Sequence, residues 1–386
     1  MRKPVDPEDV KKAIEATGYP LEHMVTERFR ANGWSVISNR YYVDDTDGKA
    51  RELDLIAYRV FEVQGYEFVT TVLASCKKER TTTWAFLSRD KRGQDPNIEW
   101  QPVHYWTDIE PLRTFLSSSD WRSNYLESNR QAKAVTFNIT RDVFAFQVIA
   151  PPGPRQGGSP EGTRKEAASR NDSPIFNSIS GLMKALDYEI EAIPDRAAQR
   201  AFAGKRIYLF RLAVIVDAPM VDVQHSEKTP NVVEIDQLLL LTRYMVRKRH
   251  LDAQVHFVGA DKVDWFIGEM ESLATYNSEH LHLLLNESYT SIASNRAVQN
   301  YFATVLRKRL IHAFNYRLSS EGLKEGVSEL FVMPDESGGI ILEVDVDDDT
   351  ADFLNSDSRT RLLVEAALKQ EARFTGSFQI RPDLPF

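Results

Sequence analysis

Glu52 and Asp54 alternate with Leu53 and Leu55 in Ala50 to Tyr58 (ARELDLIAY), and Ser75 and Lys77 alternate with Ala74 and Cys76 in Val69 to Lys77 (VTTVLASCK). Residues two apart share a face of a β-strand. Paired as hairpin neighbours, the two segments bring Glu52, Asp54, Ser75 and Lys77 together near the strand ends beside Ile56, and leave Leu53, Leu55 and Ala57 as the core face. Glu22 adds a third acid. It precedes Val25 by three and Phe29 by seven and so borders the apolar stripe of a helix. Glu27, turned roughly 200° from Val25 at ~100° per residue, faces solvent. A carboxylate directed at a core needs a partner, and a hard cation supplies one. Carboxylates holding Mg²⁺ or Mn²⁺ beside a lysine that orients a water or stabilises a developing phosphorane charge are the set required for phosphodiester hydrolysis. The same residues also fit a plainer arrangement. Asp54 and Lys77 suit a cross-strand ion pair on a solvated face, and Glu22 suits a first-turn acid stabilised by the helix dipole after Pro20.

Stepping outward, Pro20 to Asn32 (PLEHMVTERFRAN) has Leu21, Val25 and Phe29 at i, i+4 and i+8, an amphipathic helix stopped by Gly33. Trp34 to Val43, Ala50 to Phe61 and Tyr66 to Lys77 are rich in β-branched and aromatic residues and are separated by DDTDG and QG turns. They predict a three-stranded meander after the helix. Further on, the pattern predicts a helix at 175–193 and a strongly apolar strand at 206–216 (RIYLFRLAVIV), with more strands at 232–245 and 254–258. The last third reads as helices 262–276 and 295–316, strands 330–333 and 339–346, a helix 358–373 and a strand 377–380. That grouping suggests a separate α+β unit. Pro151 to Pro174 (PPGPRQGGSPEGTRKEAASRNDSP) has almost no large apolar side chains and reads as a flexible insertion.

The run PLEHMVTERFRANGW, then GKARELDLIAY, then a hydrophobic strand ending in SCKK resembles the restriction-endonuclease-like PD-(D/E)xK nucleases, in particular their Mrr-like branch. The motifs span roughly residues 18–80. The resemblance implies an α/β fold, a mixed β-sheet flanked by helices, over residues 1–260 with the insertion at about 151–174, followed by a C-terminal α+β domain at 261–386 for partner or oligomer contacts. It implies catalytic roles for Lys77, Asp54 and Glu22. Asp54 binds the metal, Lys77 positions the attacking water and Glu22 supports the site from its helix. It further implies a Mg²⁺ or Mn²⁺ cofactor, DNA as substrate with RNA served by the same chemistry, and a role in restriction or antiviral defence. One position departs from the pattern. Ser75 stands where the family's tripeptide begins with an acid, so the remaining ligands are expected to be Glu52 and the Ser75 backbone carbonyl, with Glu79, on the same face, a poorer substitute. The rival expectation is a degenerate nuclease fold kept as a nucleic-acid-binding or assembly module.

Other motifs carry less. Lys78, Arg80 and the basic run Arg247, Lys248 and Arg249 within RYMVRKRH are candidate phosphate contacts, as is Arg307 to Arg309, although such runs are often solvated faces. His280 and His282 share a face if their segment is a strand, without a third ligand nearby. EVDVDDDTAD at 343–352 lacks the glycine and distal glutamate of an EF-hand loop and reads as a solvated strand end. Cys76, the single cysteine, excludes an internal disulfide framework and a Cys-rich zinc module, and reads as a small buried hydrophobe in a reducing cytoplasm. No Walker A loop, dinucleotide fingerprint or nucleophile elbow occurs. No signal-like or bilayer-length apolar run is present, the longest aliphatic run being Leu238 to Leu241, so a membrane partner is not expected. The 386 residues carry 48 basic and 56 acidic side chains, a net charge of −8. By segment the charge is −1 for 1–150, +2 for 151–260 and −9 for 261–386. Net acidity therefore leaves the nuclease-like part free to meet nucleic acid, and directs the acidic end toward protein or solvent.

Overall fold

The computed structural model describes residues 6–383 apart from 45–46, 92–101, 118–138, 140, 152–167, 171, 200–204, 226–228 and 325. It is a mixed α/β protein with three sheets. In chain order come α1 (Pro7–Glu15), α2 (Tyr19–Ala31), β1 (Ser35–Val43), β2 (Ala50–Val63), β3 (Tyr66–Lys78), β4 (Thr83–Asp90), β5 (His104–Thr107) and α3 (Glu110–Leu116). Then follow β6 (Arg141–Ala150), β7 (Ala168–Arg170), α4 (Ser173–Gln199), β8 (Lys205–Asp217), β9 (Met220–His225), β10 (Asn231–Ile235), β11 (Gln237–Val246) and β12 (Arg249–Gly259). The last elements are α5 (Val263–Thr290), α6 (Arg296–Ser320), β13 (Leu330–Pro334), β14 (Ile340–Val344), α7 (Asp348–Ser356), α8 (Ser358–Glu371) and β15 (Phe378–Pro382). No helix among the described residues is long and apolar enough to cross a membrane.

The chain divides into two compact units, residues 1–106 with 130–278, and residues 107–129 with 279–386. In the first, the large sheet runs β1-β2-β3-β8-β12-β11, with β5 beside β8. The helix-plus-meander expectation holds, since β1, β2 and β3 are successive antiparallel neighbours. β8 then joins β3 in parallel and β12 joins β8 in parallel. Buried between sheet strands, β8 reads as a continuous apolar run rather than an alternation, as parallel strands do. Leu21, Val25 and Phe29 of α2 pack with Leu55, Ala57, Val72, Ala74 and Ala213 in one core. A second core joins Ile175, Leu182 and Leu186 of α4 to Leu212, Val214 and Phe257 of the large sheet, and to Trp84 and Phe86 of a second sheet, order β10-β9-β4-β6-β7. The Phe86 and Phe257 rings lie 4.8 Å apart.

Several expectations need correction. The single strand expected at 232–245 is two strands in different sheets, β10 and β11, broken at Asp236. The carbonyl of Asp236 instead accepts the Gly259 N–H at 2.7 Å, an approach that leaves only 3.2 Å for a side chain on Gly259. The insertion at about 151–174 lies mostly outside the described residues. Its end is ordered, since β7 pairs with β6 and α4 starts at Ser173. His280 and His282 lie within the helix α5, where residues two apart point roughly 200° from each other and share no face.

In the second unit α6 packs on β13 and α8 packs on α6. β13, β14 and β15 form the third sheet. The acidic stretch is not simply a solvated strand end. Asp347 caps α7 by accepting from the Thr350 N–H at 2.7 Å, and Asp345 accepts the backbone N–H groups of Ser328 and Glu329, each at 2.8 Å. These carboxylates satisfy orphan donors at turns and helix starts.

Candidate active site

The first candidate element is the point where β2 and β3 part. Their ladder ends at Leu55 opposite Ala74, while β3 continues on its other side along β8, with Ser75 opposite Val214 and Lys77 opposite Val216. Strand alternation also breaks here. Leu53 packs into the α4 core with Ile56, and not with Leu55 and Ala57 as strict period-two alternation requires. Across the sheet Asn39 has φ 55° and stands at the position facing Asp54, between the pairs Ser38–Leu55 and Arg40–Leu53, where the β1–β2 ladder skips one pair. A kink in the strand therefore carries Asp54 over the end of β3.

Asp54 fills the gap left by the ending ladder. Its Oδ2 accepts the Cys76 backbone N–H at 2.5 Å and the Ser75 hydroxyl at 3.1 Å, and Lys77 Nζ stands 3.9 Å from the same oxygen. The Cys76 amide, which would otherwise be a costly orphan donor in a buried strand, is thereby paired. Glu22 comes from the first turn of α2, placed by the burial of Leu21 and Val25 beside it. Burial raises its carboxyl pKa above the ordinary value, and the nearby charges of Asp54 and Glu52 raise it further, against a lowering effect of Lys77. Those couplings place all four groups in one electrostatic neighbourhood. Glu52 is exposed and accepts from the Asn39 side-chain amide at 2.6 Å.

Asp54, Ser75, Lys77 and Glu22, expected from the sequence as site residues, thus lie together, with Glu52 within electrostatic reach of Glu22. Ser75 acts as a hydrogen-bond donor to the acid rather than as a fellow acid. Among the described residues no three or more His, Cys, Asp or Glu side chains are grouped to hold a metal ion. Cys76 is buried on the α2 side, and burial pushes its thiol well above the ordinary value, as a structural cysteine requires. Asn39 escaped the sequence reading. Its signal was an asparagine, a poor strand former, in the middle of an otherwise β-favouring run.

The basic candidates lie elsewhere or are already engaged. Lys78 Nζ donates to the Glu15 carbonyl at the C-terminal end of α1, a favourable place for a cation. Arg80 pairs with Asp217 at 2.8 Å. Arg247 and Lys248 form the β11–β12 turn with φ 48° and 62°. Arg247 pairs with Asp187 at 3.2 Å and with Glu191, and Arg249 reaches Glu191 at 3.4 Å. Arg307 pairs with Glu329, and Arg309 with Glu371.

No protein-family model matches this chain, and no curated protein or solved structure matches it.

Proposed function

We propose that this protein is a divalent-metal-dependent nuclease that hydrolyses phosphodiester bonds of DNA, with a restriction-endonuclease-like arrangement in its first unit. The observation that carries this reading is the neighbourhood of Glu22, Asp54, Glu52 and Lys77 at the end of the β2–β3 ladder, where Lys77 Nζ stands 3.9 Å from Asp54 and both strand acids raise the Glu22 pKa. Neighbouring like charges favour a bound cation at such a spot, and a perturbed carboxyl such as that of Glu22 is a mark of functional sites. The residues fit Mg²⁺ only as a lean site. Mg²⁺ keeps several waters and is held by one or two carboxylates, which Asp54 and Glu22 can supply, with Glu52 and the Ser75 carbonyl as further oxygens. When bound, the ion would polarise the phosphate and lower the pKa of its water. Lys77 holds its ammonium beside Asp54, where it would orient an attacking water or meet charge building on the phosphate. The Ser75 and Cys76 donors fix the Asp54 carboxylate, so its geometry is set before substrate arrives.

Cleavage of plasmid, linear and single-stranded DNA in Mg²⁺ or Mn²⁺, with single-stranded RNA alongside, tests the reading. Cleavage that survives Asp54→Ala or Lys77→Ala unchanged overturns it. A second reading is favoured by Ser75. Its hydroxyl occupies the place of an acid and donates to Asp54 Oδ2, which suits a nuclease-like module that binds nucleic acid or assembles with protein without cutting. Calorimetric titration separates the two, since the non-catalytic module takes up neither Mg²⁺ nor Mn²⁺. For the second unit we propose a protein partner or another copy of the chain, because its net negative charge repels phosphate.

A further inference from the structure

A cavity of about 350 Å³ opens in the first unit between the start of α5, the beginning of β11, the end of β12 and the strand β9. That volume lies at the small end of ligand pockets, which run from roughly 300 to 1,000 Å³. Its apolar wall includes Trp265, Phe266 and Phe257, and Trp265 is 43% exposed. Its polar side chains are of a particular kind. Arg141 lines the cavity but is committed elsewhere, donating to Ser88 Oγ at 2.8 Å, pairing with Asp90 and lying 3.9 Å from Asp222. Asp222 is likewise engaged, by the Ser88 hydroxyl at 2.5 Å and the Gln224 amide at 3.0 Å. Glu269 has no ion-pair partner among the described residues. His256 lines the same cavity, and its buried Nε2 has no hydrogen-bond partner among the described residues. Burial and then the nearby charge of Arg211 push the His256 pKa down to about 3, so at neutral pH the ring is uncharged, with one donor and one acceptor nitrogen.

Among the described residues the lining holds an unpaired acid and no uncommitted cation, a combination that repels phosphate. The exposed indole of Trp265 beside amide and carboxylate groups suits a flat, uncharged heterocycle with mixed donors and acceptors on its edge. From this combination we infer that the cavity binds a single unpaired nucleobase, stacked against Trp265 and hydrogen-bonded by Glu269. The base has two sources of the same chemistry, a free nucleoside and an extruded base of a strand. The fold favours the strand. Gly259 of β12 lies opposite Val216 of β8, which lies opposite Lys77 of β3, and neighbouring strands stand about 4.8 Å apart. The cavity wall at 256–258 therefore ends roughly 10 Å from the Lys77 backbone, on the same end of the sheet. That placement rests on the nuclease reading; base binding itself does not.

The test uses the full chain carrying Asp54→Asn, so that binding is read without cleavage. Quenching of tryptophan fluorescence is followed against the four deoxynucleosides, single-stranded oligonucleotides, and oligonucleotides with one abasic position. Saturable quenching is expected, strongest for an oligonucleotide and weakened about ten-fold by the abasic position, in line with the worth of one stacked base. Glu269→Gln is expected to weaken it about ten-fold, as loss of a charge-assisted hydrogen bond does. Trp265→Phe, at a half-exposed position that tolerates change, removes the quench while calorimetric binding persists. Tight binding of nucleosides but not strands assigns the pocket to a free nucleoside and keeps the inference. Absence of saturable binding by every probe up to about millimolar concentration overturns it, and so does equal binding of intact and abasic strands with no response to nucleosides. Because no arm measures cleavage, failure here leaves the nuclease reading standing, and failure of that reading leaves this one.

Discussion

Two ends of strand pairs in the same large sheet handle charge in opposite ways. At the β11–β12 hairpin, Arg243 stands directly opposite Asp252 with an Nε to Oδ1 distance of 2.6 Å, and Arg247 and Arg249 are matched by Asp187 and Glu191 of α4. Each of these three arginines has an opposite neighbour. At the β2–β3 end, Lys77 is paired, among the described residues, only with Asp54, and the burial of Glu22 together with its acidic neighbours Asp54 and Glu52 lifts its carboxyl pKa. Opposite charges in register are what stability alone selects. Crowded like charges destabilise the empty fold, and are retained where a cation or a reaction uses them. The contrast separates two basic-and-acidic clusters that look equally promising in the sequence.

The largest effect should come from breaking the crowded end at Asp54. Asp54→Ala removes the acceptor of the buried Cys76 N–H and Ser75 hydroxyl, so stability should fall by about 1–3 kcal/mol in urea denaturation. On the nuclease reading, cleavage should fall on the order of 10³-fold, the scale of losing a group that stabilises transition-state charge. Asp54→Asn keeps an acceptor oxygen, so it should recover most of the stability and none of the activity. A joint recovery would mean the carboxylate is a structural cap and nothing more. Next in size is Ser75→Glu, which supplies the acid that the motif lacks. Each added carboxylate tightens divalent-ion sites, so Mn²⁺ affinity by calorimetry should rise roughly ten-fold. No rise would place the new carboxylate away from the ion.

The difference between the two ends was only partly legible beforehand. The helix at Tyr19–Ala31 and the meander after it announce themselves through local periodicity, because Leu21, Val25 and Phe29 and the alternating apolar residues of β2 face nearby cores. The acids and lysine could be placed on their strands for the same reason. The kink was not legible, since it rests on Asn39 adopting φ 55° in a neighbouring strand and on Leu53 turning to the α4 core. Nor was the pairing of the hairpin's arginines, because Asp187 and Glu191 lie some sixty residues before Arg247 and Arg249. The division of 232–245 at Asp236 follows from a backbone bond to Gly259, another partner distant in sequence. Local pattern specifies elements and faces, whereas the pairing of charges is a long-range outcome of topology.

Titration offers a subtler probe of the crowded end. A carboxyl whose pKa is higher folded than unfolded binds more protons in the native state, so its contribution favours folding at low pH and is lost as pH rises from the ordinary glutamate value of 4.5 through the raised value of Glu22. Glu22→Gln should flatten the stability profile in that window. Saturating Mg²⁺ should flatten it as well if the ion binds there, because the cation replaces the proton. A wild-type profile that Mg²⁺ leaves untouched, together with a flattened Glu22→Gln profile, would keep the crowding and remove the metal.

The smallest effect belongs to the matched end. Arg247→Ala keeps a side chain at the same left-handed turn position and removes the pairs with Asp187 and Glu191, with Arg247 about one third exposed. Partly exposed pairs of this kind are worth about 0.2–1 kcal/mol, and salt screens them. The variant should therefore be slightly less stable in dilute buffer, and that deficit should shrink in 1 M NaCl, where the Debye length is about 3 Å. Its DNA affinity should change by less than about two-fold, because a guanidinium already shared by two carboxylates has little charge left for a phosphate. A ten-fold loss of DNA affinity would show that the acids release Arg247 on binding. The hairpin would then be a phosphate contact held in reserve, and its matched charges would no longer distinguish it from the crowded end.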